Sequence, residues 1–282
     1  MTPDGSQGWD EYARYYDWEN ARTMGTRDVA FWRRIAATAT GPIVELGCGS
    51  GRVLLPIAAQ RTSGVVSAEE RGRKRDPRSI GIDRSAPMLD IARRRARRLR
   101  PAARPVLIRA DIRALPIASA SAALVIAPYG ILQSLVRDGD LAAALAESAR
   151  VLRSGGRLVV DLVPDLPRWT PYRGRVRMRG SKRAGTTVTL VESVRQDKRQ
   201  NLTIFDETFL ERPAGRSNAR PARPVTRRFS LTFRTLPLAE TRRRLVRAGF
   251  TIDAIFGGYR GQKWTPRSET WLIVARRVTS ER

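Results

Sequence analysis

Three glycines at alternate positions follow a glutamate in VELGCGSGR, residues 44–52. Gly47, Gly49 and Gly51 suit a strand-to-helix turn whose backbone approaches a ligand closely. The spacing G-x-G-x-G departs from the G-x-G-x-x-G of dinucleotide loops, and Glu45 separates the two further. A pyrophosphate resting on N–H groups at a helix start is repelled by a carboxylate beside it. An ammonium group there is attracted, and the loop amides still accept a carboxylate. The loop therefore favours the amino-acid end of a cationic ligand. Asp83, ending SIGID (79–83), is placed to take both hydroxyls of a ribose, and Asp111, ending PVLIRAD (105–111), the amino group of an adenine. Three acids at the carboxyl ends of three strand-like runs mark the edge where open α/β sheets bind ligands. S-adenosylmethionine carries all three of these chemical groups.

The elements that must position these residues follow from the hydrophobic pattern. Short apolar runs alternate with helical segments: PIVEL before GRVLLPIAAQ, SIGID before SAPMLDIARRRARRLR, then PVLIRAD, AALVIAP and RLVVDLV (157–163). That alternation predicts a buried parallel sheet with helices on both faces. Two helices are expected over 9–39, the second capped by Thr26. Asp140 is expected to cap LAAALAESARVL, and Gly155-Gly156 to close it. After Pro164 the period becomes two, so RVRMR, TTVTLVESV, NLTIFDETFL and TRRFSLTFRTL read as antiparallel strands. A helix over 238–250 and two closing strands restore the first pattern. The expected units are a helical cap (1–40), a cofactor domain (41–164 and 237–282) and an antiparallel β insertion (165–236), a substrate lid or dimer sheet.

The chain has 282 residues, 41% of them apolar, with 53 Lys+Arg against 27 Asp+Glu, no histidine and one cysteine. This balance excludes a disulfide framework and leaves no His/Cys metal site. No apolar run reaches membrane-spanning length and the first residues lack a secretory h-region, so a cytoplasmic protein is expected. The formal charge of +26 keeps nucleic acid in view as a partner. In IARRRARRLR, Met88, Ala92, Ala96 and Leu99 trace a buried stripe, and Arg95 intrudes on it and is expected to snorkel.

Together these segments resemble a class I S-adenosylmethionine-dependent methyltransferase over nearly the whole chain. VELGCGSGR resembles the first motif of that family, GIDRSAPML its ribose-binding motif and ADIRALP its adenine-binding motif. ESARVLRSGGRLVVDL and AGFTIDAIFGGY…SETWLIVAR resemble its later elements. The resemblance implies a Rossmann-like α/β fold: a seven-stranded mixed sheet of order 3-2-1-4-5-7-6, helices on both faces and an inserted antiparallel β lobe. It implies S-adenosyl-L-methionine as cofactor, held around Tyr16, Glu45, Gly47, Cys48, Gly49, Asp83, Arg84, Met88, Asp111, Ile112 and Ala127. The insertion resembles that of bacterial small-molecule methyltransferases. Two positions depart from the pattern: Ala where strand four often opens with Asp, and Gln133-Ser134 where relatives often carry Gln-His.

Methyl transfer needs a nucleophile held near the methyl carbon with water excluded. A neutral amine needs little acid–base help, whereas a hydroxyl needs a base or a metal. Without histidine, orientation falls to Tyr129 and Gln133, and closure to Tyr16 with Tyr12 and Tyr15 nearby. The expected acceptor is a small molecule, with nitrogen favoured. An Arg-rich insertion (Arg175, Arg177, Arg179, Arg228, Arg234) also suits a carboxylated or phosphorylated substrate. The competing readings are an RNA methyltransferase, a cofactor-binding protein without catalysis, and assembly as a homodimer.

Overall fold

The computed structural model describes residues 8–63, 78–163, 170–183, 185–213 and 224–278. The basic stretch 68–77 and most of the Pro/Arg-rich connection at 211–224 lie outside the described residues. The core is a seven-stranded sheet of β1 (Ile43–Leu46), β2 (Ser79–Asp83), β3 (Val106–Arg109), β4 (Ala122–Ala127), β5 (Leu152–Leu162), β10 (Phe250–Phe256) and β11 (Trp271–Arg277). Their order is β10-β11-β5-β4-β1-β2-β3. Counting only these strands, this is the expected 3-2-1-4-5-7-6, and β11 runs antiparallel to both neighbours. β4 is buried at every position, as its unbroken AALVIA predicts for a central parallel strand.

Helices α3 (Leu54–Ser63), α4 (Ala86–Ala96), α5 (Asp138–Val151) and α6 (Leu238–Arg247) join these strands. The second sheet is antiparallel, β6 (Tyr172–Arg183), β7 (Thr186–Asp197), β8 (Leu202–Pro213) and β9 (Val225–Arg234), paired in chain order. The two N-terminal helices serve different cores. α1 (Trp9–Asn20) buries Tyr12, Tyr15 and Trp18 against Leu190, Phe209 and Phe229 of the second sheet. α2 (Val29–Ala37) buries Phe31 and Trp32 against Ile43 and Leu124 of the main sheet and Ile57 of α3.

Four local expectations are corrected. Asp28, not Thr26, stands at the cap of α2, and its carboxylate makes no cap bond because it bonds Arg52 and Trp32 Nε1. α5 begins at Asp138 with Arg137 at its cap. Asp140 lies inside the first turn, spent on Arg113 at 2.7 Å. α5 ends at Val151 and the chain goes straight into β5, with Leu152 extended. Gly155 and Gly156 fall instead where the β4–β5 register jumps between Ala122 and Leu124, and Gly155 has φ 69°. Arg95 does more than snorkel: it pairs with Asp17 at 2.8 Å and bonds Ser50 Oγ at 2.9 Å, fastening α4 to α1 and the glycine loop. Ala92 and Ala96 are buried as the stripe requires, and Leu99 is half-buried.

Candidate active site at the carboxyl edge of the main sheet

The glycine loop leaves β1 and turns into α3. Gly47, Gly49 and Gly51 all have positive φ, 63°, 52° and 79°, a region that costs an L side chain free energy. At Gly47 space is also closed: a Cβ would meet Ile131 Cγ1 at 2.5 Å. Asp83, one strand over, ties the loop down. Its Oδ2 accepts from Gly49 N at 2.8 Å and its Oδ1 from Ser85 N at 2.8 Å. A carboxylate offers about four lone pairs, so two backbone bonds leave it able to accept a pair of hydroxyls. Burial pushes the Asp83 carboxyl up, and the Ser85 and Gly49 N–H groups oppose that.

Gly47, Gly49, Asp83 and Ser85 border a cavity of about 470 Å³, within the range of small-ligand sites. Gly47, Gly49, Asp83 and Arg84 form one wall. Met88, Asp111 and Ile112 form a second, and Tyr16 and Tyr129 a third. The structure thus brings nine of the sequence-predicted residues together. Glu45 is 3% exposed and leaves Oε2 with no partner, and burial holds its carboxyl well above the usual range. An orphaned acid beside a glycine cradle is what an ammonium group requires, so the residues present fit S-adenosylmethionine. Cys48 is buried behind the loop, against the position a Cβ on Gly81 would take, and Ala127 is buried in β4. Neither of them borders the cavity, and nor does Glu45, which lies behind the loop.

Asp111 borders the cavity already engaged. Arg113 grips it through Nε–Oδ1 at 3.0 Å and Nη2–Oδ2 at 2.7 Å, and this guanidinium holds the carboxyl below its usual range. Arg113 also reaches Asp140. An adenine amino group placed at this wall would meet an acid already paired and fixed in place. Arg113 went unassigned in sequence, where the only signal was its position two residues after the acid.

Tyr16 and Tyr129 meet edge to face at 6.4 Å between centroids, and the Arg52 guanidinium lies 5.4 Å from the Tyr129 ring. Burial raises both phenols above their ordinary range. Tyr129 is held at φ 59°, unusual for a bulky side chain. Gln133 is elsewhere. Its Oε1 accepts from Val163 N at 3.0 Å and its Nε2 donates to Val163 O at 3.1 Å. It borders an apolar cavity with Leu135 and Leu145, so its amide pins the end of β5. Tyr12 and Tyr15 pack on Phe209 and Phe229 and do not border the main cavity. Arg177 pairs with Glu192 and Arg234 with Asp138, while Arg179 bonds Thr189.

Residues 43–156 match the family model for a methyltransferase domain. An O-methyltransferase, cnsE, of Penicillium expansum is 33% identical over 153 residues, 53% of this chain. The chain spans 48% of that relative's length. The structure of the CcbJ methyltransferase from Streptomyces caelestis aligns over 98% of this chain and 100% of its own, at 20% identity and TM-score 0.72. CalS10, an amino pentose methyltransferase from Micromonospora echinaspora solved with S-adenosylmethionine bound, aligns over 97% of this chain and 93% of its own. Its identity is 21% and its TM-score 0.60. These structural likenesses establish the Rossmann-like methyltransferase fold. Among the described residues, no helix is long and apolar enough to cross a membrane.

Proposed function

We propose that this chain, whose residues 43–156 match a methyltransferase domain, transfers a methyl group from S-adenosylmethionine to a nitrogen of a small-molecule acceptor. The single observation that carries the reading is the cavity that joins Asp83 and the glycine loop to an aromatic wall of Tyr16 and Tyr129. When bound, the cofactor supplies an electrophilic methyl group on a sulfonium. The chain's own residues then have three tasks. Glu45 and the loop amides hold the amino-acid end, and Asp83 the ribose. Met88 and Ile112 offer apolar contact to a flat base, with Asp111 at its edge. Tyr16 and Tyr129 orient the acceptor and exclude water, which matters most for an in-line displacement.

A nitrogen acceptor is favoured because the sequence holds no histidine and both phenols are pushed away from easy ionisation. A neutral amine needs no strong base to attack. The similar CalS10, an amino pentose methyltransferase, supports this choice, while the O-methyltransferase from Penicillium points to oxygen. We place α1 and the inserted sheet as the acceptor's cover.

The test is turnover of methyl-labelled cofactor by the purified chain against amines, phenols, alcohols and tRNA fragments. Label entering small amines is expected. Turnover confined to RNA, or to hydroxyl compounds, would overturn the acceptor assignment.

A further inference from the structure

The inserted sheet carries glutamates where its alternation requires apolar residues. Glu192 shares the inward phase of Val188, Leu190 and Val194, and Glu207 that of Phe205 and Phe209. The two are direct cross-strand partners and are 6% and 3% exposed. Like charges opposite one another on a ladder repel, and burial of unpaired carboxylates is costly. Glu19 of α1 faces them. Burial, with the Glu192 charge adding to it, pushes Glu19 up to about 7. Burial, then the charges of Glu19 and Glu192, pushes Glu207 up to about 9. Tyr12 donates to Glu19 Oε2 and Tyr172 to Glu192 Oε1. Arg177 is the cation here, 3.0 Å from Glu192, and Glu207 Oε2 is buried with no partner. In a chain of net charge +26, this is a pocket of acid short of positive charge.

We propose that Glu19, Glu192 and Glu207 form a subsite that receives a protonated amino group of the acceptor, separate from the neutral nitrogen that takes the methyl group. The inference rests on the methyltransferase reading and names the acceptor's charge. An ammonium group has three donors for three carboxylates. A divalent metal fits less well, since no metal-holding group of His, Cys, Asp and Glu occurs among the described residues. None of the three carboxylates borders the main cavity, but two links lead from the cluster towards it. Tyr129, on the cavity wall, lies within the field of Glu19. Phe233, also on that wall, pairs with Thr203, whose buried Oγ1 lacks a partner and which lies four residues before Glu207 on the same strand face. Near neutral pH the Glu207 carboxyl holds its proton. An arriving ammonium favours the carboxylate, so binding releases about one proton to solvent.

The experiment is calorimetric titration of the full chain near neutral pH, in two buffers of different ionisation heat, with and without S-adenosylhomocysteine. Cyclohexylamine is the probe, cyclohexanol its neutral counterpart and magnesium chloride the metal arm. The expected result is amine binding with proton release, with the alcohol at least roughly tenfold weaker. Glu207→Gln weakens the amine by a similar factor and removes the proton release, with S-adenosylhomocysteine affinity unchanged. Glu19→Gln, on the more accessible helix, repeats the comparison if the first variant melts early. Equal binding of amine and alcohol, unchanged binding by both variants, or magnesium in place of the amine would overturn the assignment. Failure of S-adenosylhomocysteine to bind defeats the methyltransferase reading instead, and the amine titration without it still decides the subsite.

Discussion

Arg52 and Asp28 form a two-pronged ion pair, Nη1 to Oδ1 at 2.5 Å and Nη2 to Oδ2 at 2.8 Å, with Asp28 fully buried. Arg52 directly follows the glycine loop, and Asp28 stands at the start of α2. The same guanidinium reaches Gly25 O and bonds Tyr16. One side chain therefore links the loop that fits the cofactor to the N-terminal helices beside the cavity. Removing one partner of a buried pair leaves an uncompensated charge, at a cost of about 3–5 kcal/mol. Arg52→Met is expected to lower the urea midpoint by that measure and to leave Tyr16 loosely held. A loss below about 1 kcal/mol in urea titration would show the pair to be no more than a surface contact.

Asp83 and Glu45 make separable predictions about the cofactor. Asp83 bonds Gly49 and Ser85, so Asp83→Asn disturbs both the loop and the hydroxyl contacts. Hydrogen bonds to charged groups contribute about 1.5–3 kcal/mol, or roughly 10–100-fold in Kd. S-adenosylhomocysteine binding by calorimetry is expected to weaken by that factor. Glu45→Gln should also weaken binding, but it removes a buried acid with an orphaned oxygen and should stabilise the unliganded protein. Opposite signs in affinity and melting temperature identify Glu45 as a ligand-holding acid, and a loss in both would make it structural.

Much of this was legible in the residues, and the exceptions have physical causes. The parallel strands announce themselves as apolar runs, and the order of the main sheet follows the family resemblance. The cap expected of Asp140 fails because a side chain caps a helix only when nothing stronger claims it, and α2 begins two residues beyond the expected Thr26, at an Asp28 that is itself claimed. Long-range arginines claimed both Asp28 and Asp140. The Arg113–Asp111 grip and the Gln133–Val163 bonds are likewise tertiary, invisible to periodicity. The acid cluster did leave a signal. Glu192 and Glu207 sit in the apolar phase of their strands, and an acid in that phase calls for a partner.

Gly47→Ala is expected to damage the site more than its one carbon suggests. At φ 63° an added Cβ costs about 1–2 kcal/mol in backbone strain alone. It would also meet Ile131 Cγ1 at 2.5 Å and Cδ1 at 2.6 Å, and Ile131 borders the cavity. Displacement of Ile131 intrudes on the cofactor space, so a lower melting temperature should come with weaker S-adenosylhomocysteine binding. Gly155→Ala is the control: its φ is also positive, at 69°, but nothing lies near its Cβ position. Equal effects of the two on cofactor affinity would refute a role for the Ile131 contact.

Asp161 gives stability a pH dependence of predictable sign. It lies in β5, is 2% exposed, and accepts from Tyr259 Oη at 2.5 Å. Burial outweighs that bond and pushes its carboxyl up to about 6 from 3.8. The folded chain therefore binds this proton more tightly than the unfolded chain does. The contribution is fully present below the unfolded pKa and is lost as pH rises through about 6, a change of about 2–3 kcal/mol. Acids held low by arginines, such as Asp111 and Glu147, act in the opposite sense at lower pH, so the wild-type curve alone mixes the two. Asp161→Asn isolates the effect, because an amide oxygen still accepts from Tyr259 and carries no charge at any pH. The stability gained by the variant over wild type should grow by about 2–3 kcal/mol between pH 4 and pH 8. Urea unfolding across that range reads it directly, and a gap independent of pH would mean that Asp161 ionises as freely in the fold as in the unfolded chain.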